Sequence, residues 1–419
     1  MFDRKIFRNL IDKIIEIGAG HEVEEIPYAM PNKPPAKLNR FKFHPSAQTA
    51  LNTFVYLIES NPVLSKVFVN KQFNYGSISN TMTADILIMW LIEESKRYGT
   101  DNALDSLEIF VKQGYTPAHK YYAISGIKVE ETISLTDDVA ICPVEVIRDS
   151  TMKFRASPKE VPNPTSIGGT ETSDERHPIA FFKRAVRLKT VVECPFHYHP
   201  RHDTTLDNLS SFLTLLDKAT PMLFYQWIEL DKHVPMHQHT LVDFIGNGSE
   251  LNYKHLVTLD RSTWNDLKPT YDMFLSLNQH DRVLIASTLD RIKNSKARWK
   301  LIDRAIDLGV ALESLLLKRG EDKAIKEKFA FRANLILERN TDRDNYTNSF
   351  FKALYSCRSN AVHDGVLEDS YDIGTYETLS AEQLIEKGTS YAMQITKNMI
   401  LHGGLPDWKS LISEFESTV

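Results

Sequence analysis

The sequence predicts a mainly α-helical protein with an α+β N-terminal region and an antiparallel helical bundle at the C-terminal end. Three observations predict this class. Apolar residues recur at helical spacing over much of the chain, including its last third. The stretch from Tyr121 to Ile147 instead alternates with the period of a β-strand. Residues 156–178 are rich in Pro, Gly, Ser and Thr, and we expect them to form a mobile surface loop.

The first predicted region is helical and spans residues 1–115. Polar and apolar residues alternate at helical spacing at the N-terminus, which is typical of an amphipathic helix and not of a cleaved signal. Prolines between residues 27 and 35 then interrupt the pattern. Further core helices are predicted over Thr49–Ser60, Ala84–Tyr98 and Ala103–Lys112.

The second predicted region, residues 116–275, contains the strands. Apolar pairs within Tyr121–Ile147, with Asp137 and Asp138 as a turn, predict a short antiparallel meander. Beyond the loop 156–178, alternation from Val186 to Tyr198 predicts a strand with one buried and one solvated face.

The third predicted region, residues 280–419, is the bundle. Its helical stretches follow one another through short connections, which places neighbours antiparallel. One apolar stripe comprises Trp299, Ile302, Ala305, Ile306, Gly309, Leu312 and Leu316, and the next stretches are Ile325–Ile336, Tyr346–Asp364 and Ser380–Leu401.

Composition limits the classes of function. The chain has 419 residues, of which 42% are hydrophobic and 25% charged, as in an ordinary globular protein of two or three domains. The net charge of -5 argues against bulk attraction to nucleic acid. However, the segment from Arg282 to Arg358 holds 17 Lys and Arg against 10 Asp and Glu, and the segment after it holds 3 against 10. A polyanion would therefore meet the basic segment, unless these charges are only solvated helix faces.

The cysteines and the apolar runs indicate a cytoplasmic protein. Three widely spaced cysteines, Cys142, Cys194 and Cys357, do not make a disulfide framework. The longest apolar run, Ile86–Ile92, is far shorter than the roughly 20 residues that span a bilayer. We therefore expect no membrane partner.

The most informative motif lies at the end of the Tyr346–Asp364 stretch. At about 100° per residue, Arg358 follows Phe350, Phe351 and Leu354 along one face, which Ala361 and Val362 continue, and His363 stands just before Gly365, a left-handed helix stop. A guanidinium in line with a core stripe needs a carboxylate, a phosphate or a partner subunit to compensate it. Glu313, on or beside the first stripe, is the candidate carboxylate for Arg358 or Arg332, although an exposed position is the simpler reading of that residue.

This pattern, Arg-x4-His between Leu354-Tyr355 and Gly365, resembles the HEPN superfamily, specifically its Apea-like branch. The resemblance extends through Ala311–Leu316 and Phe331–Leu335 and covers about the last third of the chain, from residue 280. It implies a small antiparallel helical bundle that dimerises. It also implies a metal-independent endoribonuclease without cofactor, of the kind used as a toxin or as an antiviral defence effector against phage.

The chemistry implied by this resemblance needs only two residue types. His363 transfers the proton of the RNA 2′-hydroxyl or of the departing 5′-oxygen. Arg358 holds the scissile phosphate through two parallel hydrogen bonds and stabilises its charge. The expected products carry 2′,3′-cyclic phosphate ends, and a homodimer or a higher symmetric oligomer presents each residue twice in one groove. The N-terminal regions are then expected to sense a trigger, such as a phage component or a nucleotide.

Two alternatives remain open. In members of the family that cleave RNA, Asn, Asp or His most often follows the Arg, whereas here Ser359 follows it and Asn360 comes next. Both are candidate phosphate or base contacts, and Tyr355 either stacks on a base or packs. In the first alternative Arg358 only bridges to Glu313 and His363 caps helix carbonyls. In the second, the bundle is a catalytically inactive dimerisation or nucleotide-binding module.

A histidine-rich stretch supplies the last candidate site. A Cys-x-x-His and a His-x-His spacing occur near residue 197, and a second His-x-His occurs near residue 237, but they lack the second clean pair typical of zinc sites, so we expect no metal. We expect instead that the solvated side of the strand binds an RNA backbone. The candidate RNA-binding residues are Arg187, Lys189, His197, His199 and Arg201.

Overall fold

A computed structural model of the chain describes the following residues: 2–17, 20–25, 37–42, 45–69, 71–75, 78–113, 115–147, 180–189, 204–230, 241–243, 256–318, 320, 323–338, 341–342 and 345–418. The protein is mainly helical, with a mixed region of strands before the last third of the chain, so the predicted fold class is confirmed at this level. The described helices are α1 (Arg4–Glu16), α2 (Gln48–Ser60), α3 (Leu64–Phe68), α4 (Ala84–Tyr98), α5 (Thr100–Gln113), α6 (Thr204–Phe212), α7 (Arg261–Ser276), α8 (Gln279–Ala297), α9 (Leu301–Leu316), α10 (Ile325–Glu338), α11 (Tyr346–His363), α12 (Ala381–Leu401) and α13 (Trp408–Thr418).

The N-terminal helices α1 to α5 share one apolar core. Helix α1 begins after Asp3, whose carboxylate accepts hydrogen bonds from two backbone N–H groups of the first turn. It buries Phe7, Ile11 and Ile14, which recur at helical spacing, against residues such as Phe54 of α2. These helices therefore form because their apolar stripes cover one another. None of the helices in the described part of the chain has both the length and the apolar character needed to span a bilayer.

The strands form one larger sheet and several two-stranded pairs. Their bounds are β1 (Gly20–Glu25), β2 (Lys37–Lys42), β3 (Lys71–Tyr75), β4 (Ile78–Met82), β5 (Tyr115–Ser125), β6 (Ile127–Lys128), β7 (Ile133–Ser134), β8 (Val139–Pro143), β9 (Ala180–Lys189), β10 (Met222–Leu230), β11 (Leu241–Asp243), β12 (Val257–Thr258), β13 (Ser370–Ile373) and β14 (Glu377–Ser380). The six-stranded sheet has the order β11-β10-β5-β9-β8-β7 with antiparallel neighbours. Tyr121 and Tyr122 alternate between two different core clusters, one on each face of this sheet.

The predicted meander is only partly correct. Strands β7 and β8 form the expected antiparallel pair, with Ile133 opposite Ile141. Strand β6, however, does not join them: Ile127 pairs in parallel with Val257, 130 residues later in the chain. The described part of the predicted strand Val186–Tyr198 belongs to β9, which begins earlier, and its remainder lies outside the described residues, as does the predicted loop 156–178.

The C-terminal bundle is built from α7 to α13, with the β13–β14 hairpin between α11 and α12. Helices α8 and α9 are antiparallel, because side-chain contacts join Ser295 to Arg304, Arg291 to Asp307 and Thr288 to Ser314. Helices α10 and α11 are antiparallel as well. Asn334, near the end of α10, contacts Asn345 just before α11, whereas Lys326, at the start of α10, contacts Ser356 in the second half of α11. The predicted helical stretches and the antiparallel direction of these two pairs are therefore present.

One face of the sheet and the bundle share a continuous apolar core. The core runs from Tyr122 and Phe182 in the sheet, through Phe212 and Tyr271, to Phe350 in α11. A polar link crosses the same boundary. The Lys296 ammonium in α8 donates hydrogen bonds to the backbone carbonyls of Thr214 (2.8 Å), Asp217 (2.6 Å) and Ala219 (3.3 Å) in the segment after α6.

Two residues predicted for the bundle core lie at its surface. Trp299 is 51% exposed and Val362 is 43% exposed. Trp299 lies before α9 begins at Leu301, so helical spacing does not place its side chain on the buried face of that helix. Val362 lies in the last turn of α11, on a side that the described residues leave partly open to solvent.

Candidate functional site

The candidate site is centred on α11, and the helix termini fix its position. The Asn345 side chain caps the start of the helix by accepting a hydrogen bond from the Asn348 N–H (2.8 Å). At the other end, Gly365 has a φ of +68°, the left-handed conformation expected for a helix stop. Between them, Phe350, Phe351, Leu354, Cys357 and Ala361 are buried.

Arg358 lies against α9 and not in the solvent. Its Nη2 donates to Oε2 of Glu313 at 2.8 Å, and each side chain is exposed to about a fifth, 20% and 21%. The sequence predicts this carboxylate as a partner of Arg358 or Arg332. The structure pairs it with Arg358, while Arg332 donates instead to the backbone carbonyl of Leu316 (2.7 Å). The charge in line with the core stripe is therefore compensated within the chain.

Gly309 makes this position of Arg358 possible. A Cβ on Gly309 would overlap Cγ of Arg358 and would lie 2.9 Å from its Cβ. Only a residue without a side chain thus lets the Arg358 stem lie against the α9 backbone. Sequence reasoning placed Gly309 in the apolar stripe but did not assign it this role. A glycine inside a helix was the available signal, since it often marks a close approach.

The guanidinium of Arg358 is only partly used. Its Nε is buried and has no hydrogen-bond partner, and Nη1 donates to none of the described residues. The carboxylate of Glu313 is also constrained. Burial raises the pKa of Glu313, and the charge and hydrogen bond of Arg358 oppose that rise. The pair therefore fixes one side of the fork and leaves Nη1 for an additional anion.

His363 is exposed at the end of α11. Within the described part of the chain, its ring has no hydrogen-bond partner, so the expected capping of helix carbonyls is not seen there. Five positions along a helix turn the side-chain direction by about 140°. Arg358 accordingly faces α9 within the same chain, whereas His363 faces outward.

The supporting residues are placed differently from one another. The Asn360 amide donates to the Glu368 carboxylate at 2.8 Å, and Ser359 is partly exposed. Tyr355 packs edge to face on Phe329 with ring centres 5.4 Å apart, which favours packing over base stacking. Sequence reasoning missed Lys326 of α10, which places a cation beside α11 by donating to the Ser356 hydroxyl (2.8 Å).

Other candidate chemistry at this site is limited. Burial raises the pKa of Cys357 to about 11, so its thiol is not a nucleophile near neutral pH. Among the described residues, no group of His, Cys, Asp and Glu side chains is arranged to hold a metal ion.

The proposed RNA-binding residues are only partly placed. Arg187 and Lys189 lie in β9, where their backbones pair with Pro117 and Tyr115 of β5. His197, His199 and Arg201 lie outside the described residues, as do the other histidines of that stretch. Comparison with known proteins gives no further assignment: no protein-family model, curated protein or solved structure matches the chain.

Proposed function

We propose that the protein is a metal-independent endoribonuclease of the HEPN type, acting in the cytoplasm as a toxin or an anti-phage effector. The observation that carries the proposal is the state of Arg358 and His363 on α11. Arg358 is fixed by Glu313 and Gly309 with Nη1 unpartnered among the described residues, and His363 is exposed five residues later. These are a phosphate ligand and a group that can transfer a proton, the two functions that cleavage by the 2′-hydroxyl requires.

In this mechanism Nη1 of Arg358 donates to a phosphate oxygen and stabilises the charge that develops on it. His363 accepts the proton of the 2′-hydroxyl or protonates the 5′-oxygen, which leaves a 2′,3′-cyclic phosphate and a 5′-hydroxyl. Since the two side chains of one chain point in different directions, a two-fold dimer supplies the complementary residue from its second copy. Glu313 accepts from Nη2 and Nε is buried, so the phosphate accepts from Nη1 alone and not through the two parallel hydrogen bonds expected from the sequence.

The test measures cleavage of single-stranded RNA by purified protein, with and without EDTA, followed by analysis of the RNA ends. Cyclic phosphate ends that form in EDTA, and that disappear in Arg358→Lys and His363→Ala proteins, support the proposal. Arg358→Lys keeps the charge beside Glu313 but loses the planar fork. Matched controls are Arg261→Ala and His280→Ala, which change exposed residues outside the site. Cleavage that persists in both site variants contradicts the proposal, and so does activity from a strictly monomeric protein.

A second function is favoured by one sequence position and one contact. Ser359 follows the arginine, and the Asn360 amide is engaged by Glu368 (2.8 Å), so neither supplies the usual polar helper. We therefore propose as the alternative a catalytically inactive HEPN module for dimerisation or nucleotide binding. Intact RNA together with saturable mononucleotide binding, measured by calorimetry, supports this alternative.

A further inference from the structure

The turn between α8 and α9 presents an indole to solvent. The chain has five tryptophans, all within the described residues. Trp90, Trp227, Trp264 and Trp408 are at most 4% exposed, whereas Trp299 is 51% exposed. Arg298 and Lys300 flank Trp299 in the sequence. The exposed indole therefore has a cationic residue on each side of it in the chain.

A buried carboxylate organises the cations beside this indole. Asp307 of α9 is only 5% exposed, and its two oxygens accept from Nη1 of Arg291 (2.7 Å) and Nε of Arg298 (3.2 Å). Both guanidinium groups therefore contact one carboxylate, whose single negative charge neutralises only one of their two positive charges. Arg291 is 47% exposed, and its Nε and Nη2 donate to none of the described residues.

The local charge is positive. From Asp290 to Asp307 the chain holds six Lys and Arg against three Asp. One of these carboxylates is the buried Asp307, and Asp290 is paired with Lys293 (2.5 Å). Of the six cations, Arg304 is buried near Glu382 (3.7 Å) and Glu386 (4.0 Å) of α12, and burial lowers the pKa of Lys296 to about 7. The cations at the surface of the turn are therefore Arg291, Arg298 and Lys300. The exposed ammonium of Lys300 has no ion-pair partner within the described residues. An anionic ligand is therefore complementary to this turn.

We propose that the α8–α9 turn binds single-stranded nucleic acid, with a base stacked on Trp299 and the adjoining phosphates held by Arg291 and Lys300. An aromatic face next to fixed cations is the combination that binds unpaired bases without reading their sequence. A lipid surface is a poorer match. Membrane-binding segments present several apolar side chains together, whereas Trp299 is the only exposed large apolar residue between Val283 and Val362 in the described part of the chain.

This proposal goes beyond the proposed cleavage and does not depend on it. Asp307 precedes Glu313 by six residues on α9, or about 9 Å along the helix axis. The surface is therefore distinct from the Arg358 fork, although the carboxylates that hold the cations of the two sites, Asp307 and Glu313, lie on one helix. Binding at the turn requires neither Arg358 nor His363.

The test uses an oligothymidylate DNA of about 12 nucleotides, which has no 2′-hydroxyl and so cannot be cleaved by the proposed chemistry. Binding is followed by tryptophan fluorescence, because Trp299 is the indole that solvent reaches. We expect the oligonucleotide to quench this emission. Trp299→Ala, measured by anisotropy of a labelled oligonucleotide, should lower affinity about tenfold or more. Arg291→Ala should lower it and also reduce its salt dependence.

The controls separate this surface from charge alone. Arg261→Ala removes an exposed arginine elsewhere and should leave binding unchanged. Heparin, a polyanion without bases, should compete for the surface without quenching Trp299. Equal oligonucleotide affinity in wild type and Trp299→Ala overturns the proposal. Quenching by heparin equal to that by DNA also overturns it, as does a blue shift with phosphatidylserine vesicles in the absence of DNA binding. If the wild-type protein binds the oligonucleotide at Trp299 but does not cleave RNA, only the proposed nuclease activity is contradicted.

Discussion

Adding a methyl group at Gly309 tests whether the Arg358 stem lies against the α9 backbone. In Gly309→Ala the new Cβ would overlap Cγ of Arg358, so Arg358 or α9 must move. Overpacking of this kind costs about 1–3 kcal/mol. Replacing glycine by alanine inside a helix contributes about 1 kcal/mol in the opposite direction. We therefore expect Gly309→Ala to lower the free energy of unfolding by about 0–2 kcal/mol.

The sign should reverse when Arg358 is shortened. In Arg358→Ala the overlapping Cγ is absent, and the remaining conflict is a Cβ–Cβ distance of 2.9 Å that a small shift relieves. Gly309→Ala in that background should therefore stabilise the protein by up to about 1 kcal/mol through helix propensity. The coupling between the two positions is then about 1 kcal/mol or more.

Guanidinium denaturation followed by far-ultraviolet circular dichroism measures the four free energies of this cycle. A matched control is Gly309→Ala in Glu313→Gln, where the Arg358 stem remains and the substitution should stay destabilising. Additive effects of Gly309→Ala and Arg358→Ala on the free energy of unfolding would refute the close approach of the Arg358 stem to Gly309. RNA cleavage by Gly309→Ala should fall with the displacement of Arg358, even at temperatures where the variant is folded.

Three further perturbations follow from the buried and paired charges. Lys296→Met leaves three backbone carbonyls without their donor and should lower the free energy of unfolding by about 2 kcal/mol. The control Lys293→Met removes an ion pair with Asp290 of the same helix and should change the free energy of unfolding little. Asp307→Asn leaves two arginines without a counter-charge and should cost about 2 kcal/mol, since their exposure to solvent reduces the penalty of a fully buried pair; an unchanged unfolding midpoint contradicts this. The Tyr346 hydroxyl and the Lys387 ammonium lower the pKa of Glu377 below its ordinary value of 4.5. As the pH falls, the Glu377 carboxylate is protonated in the unfolded chain before it is protonated in the folded protein. The stability that Glu377 contributes is therefore present above pH 4.5 and is lost as the pH falls below it. The gap in melting temperature between wild type and Glu377→Gln should narrow as the pH falls below 4.5, and a constant gap would contradict the assignment.

The helices were largely predictable, because their apolar stripes are local. The helix predicted over Ala84–Tyr98 is α4, and the stretch predicted from Tyr346 ends within one residue of α11. The same periodicity failed at Trp299, which lies in a turn before α9, where helical spacing has no meaning. It also failed at Val362, because spacing gives a direction but not the neighbour that must cover it.

Long-range pairing was only partly predictable. The carboxylate of Glu313 was a candidate for Arg358 because both lie on core-facing stripes, although 45 residues separate them. By contrast, nothing near Ile127 indicates that it pairs with Val257, since this parallel pair depends on the path of the chain between them. The close approach of Arg358 to Gly309 could not be predicted for the same reason. Its missing side chain signals a close approach but does not name the residue that approaches.

The continuous core between the sheet and the bundle determines how the chain can be divided. A fragment that starts at residue 280 would lose Tyr271 and Phe274 of α7 and the carbonyls that bind Lys296, and would leave an apolar flank of α12 open to water. Exposed flanks of that kind promote aggregation. Expression boundaries for the bundle therefore belong before α6. Among the described residues, the core that contains Tyr122 and Phe182 of the sheet also contains Phe350 of α11, so a change in packing on that face of the sheet alters the packing around α11.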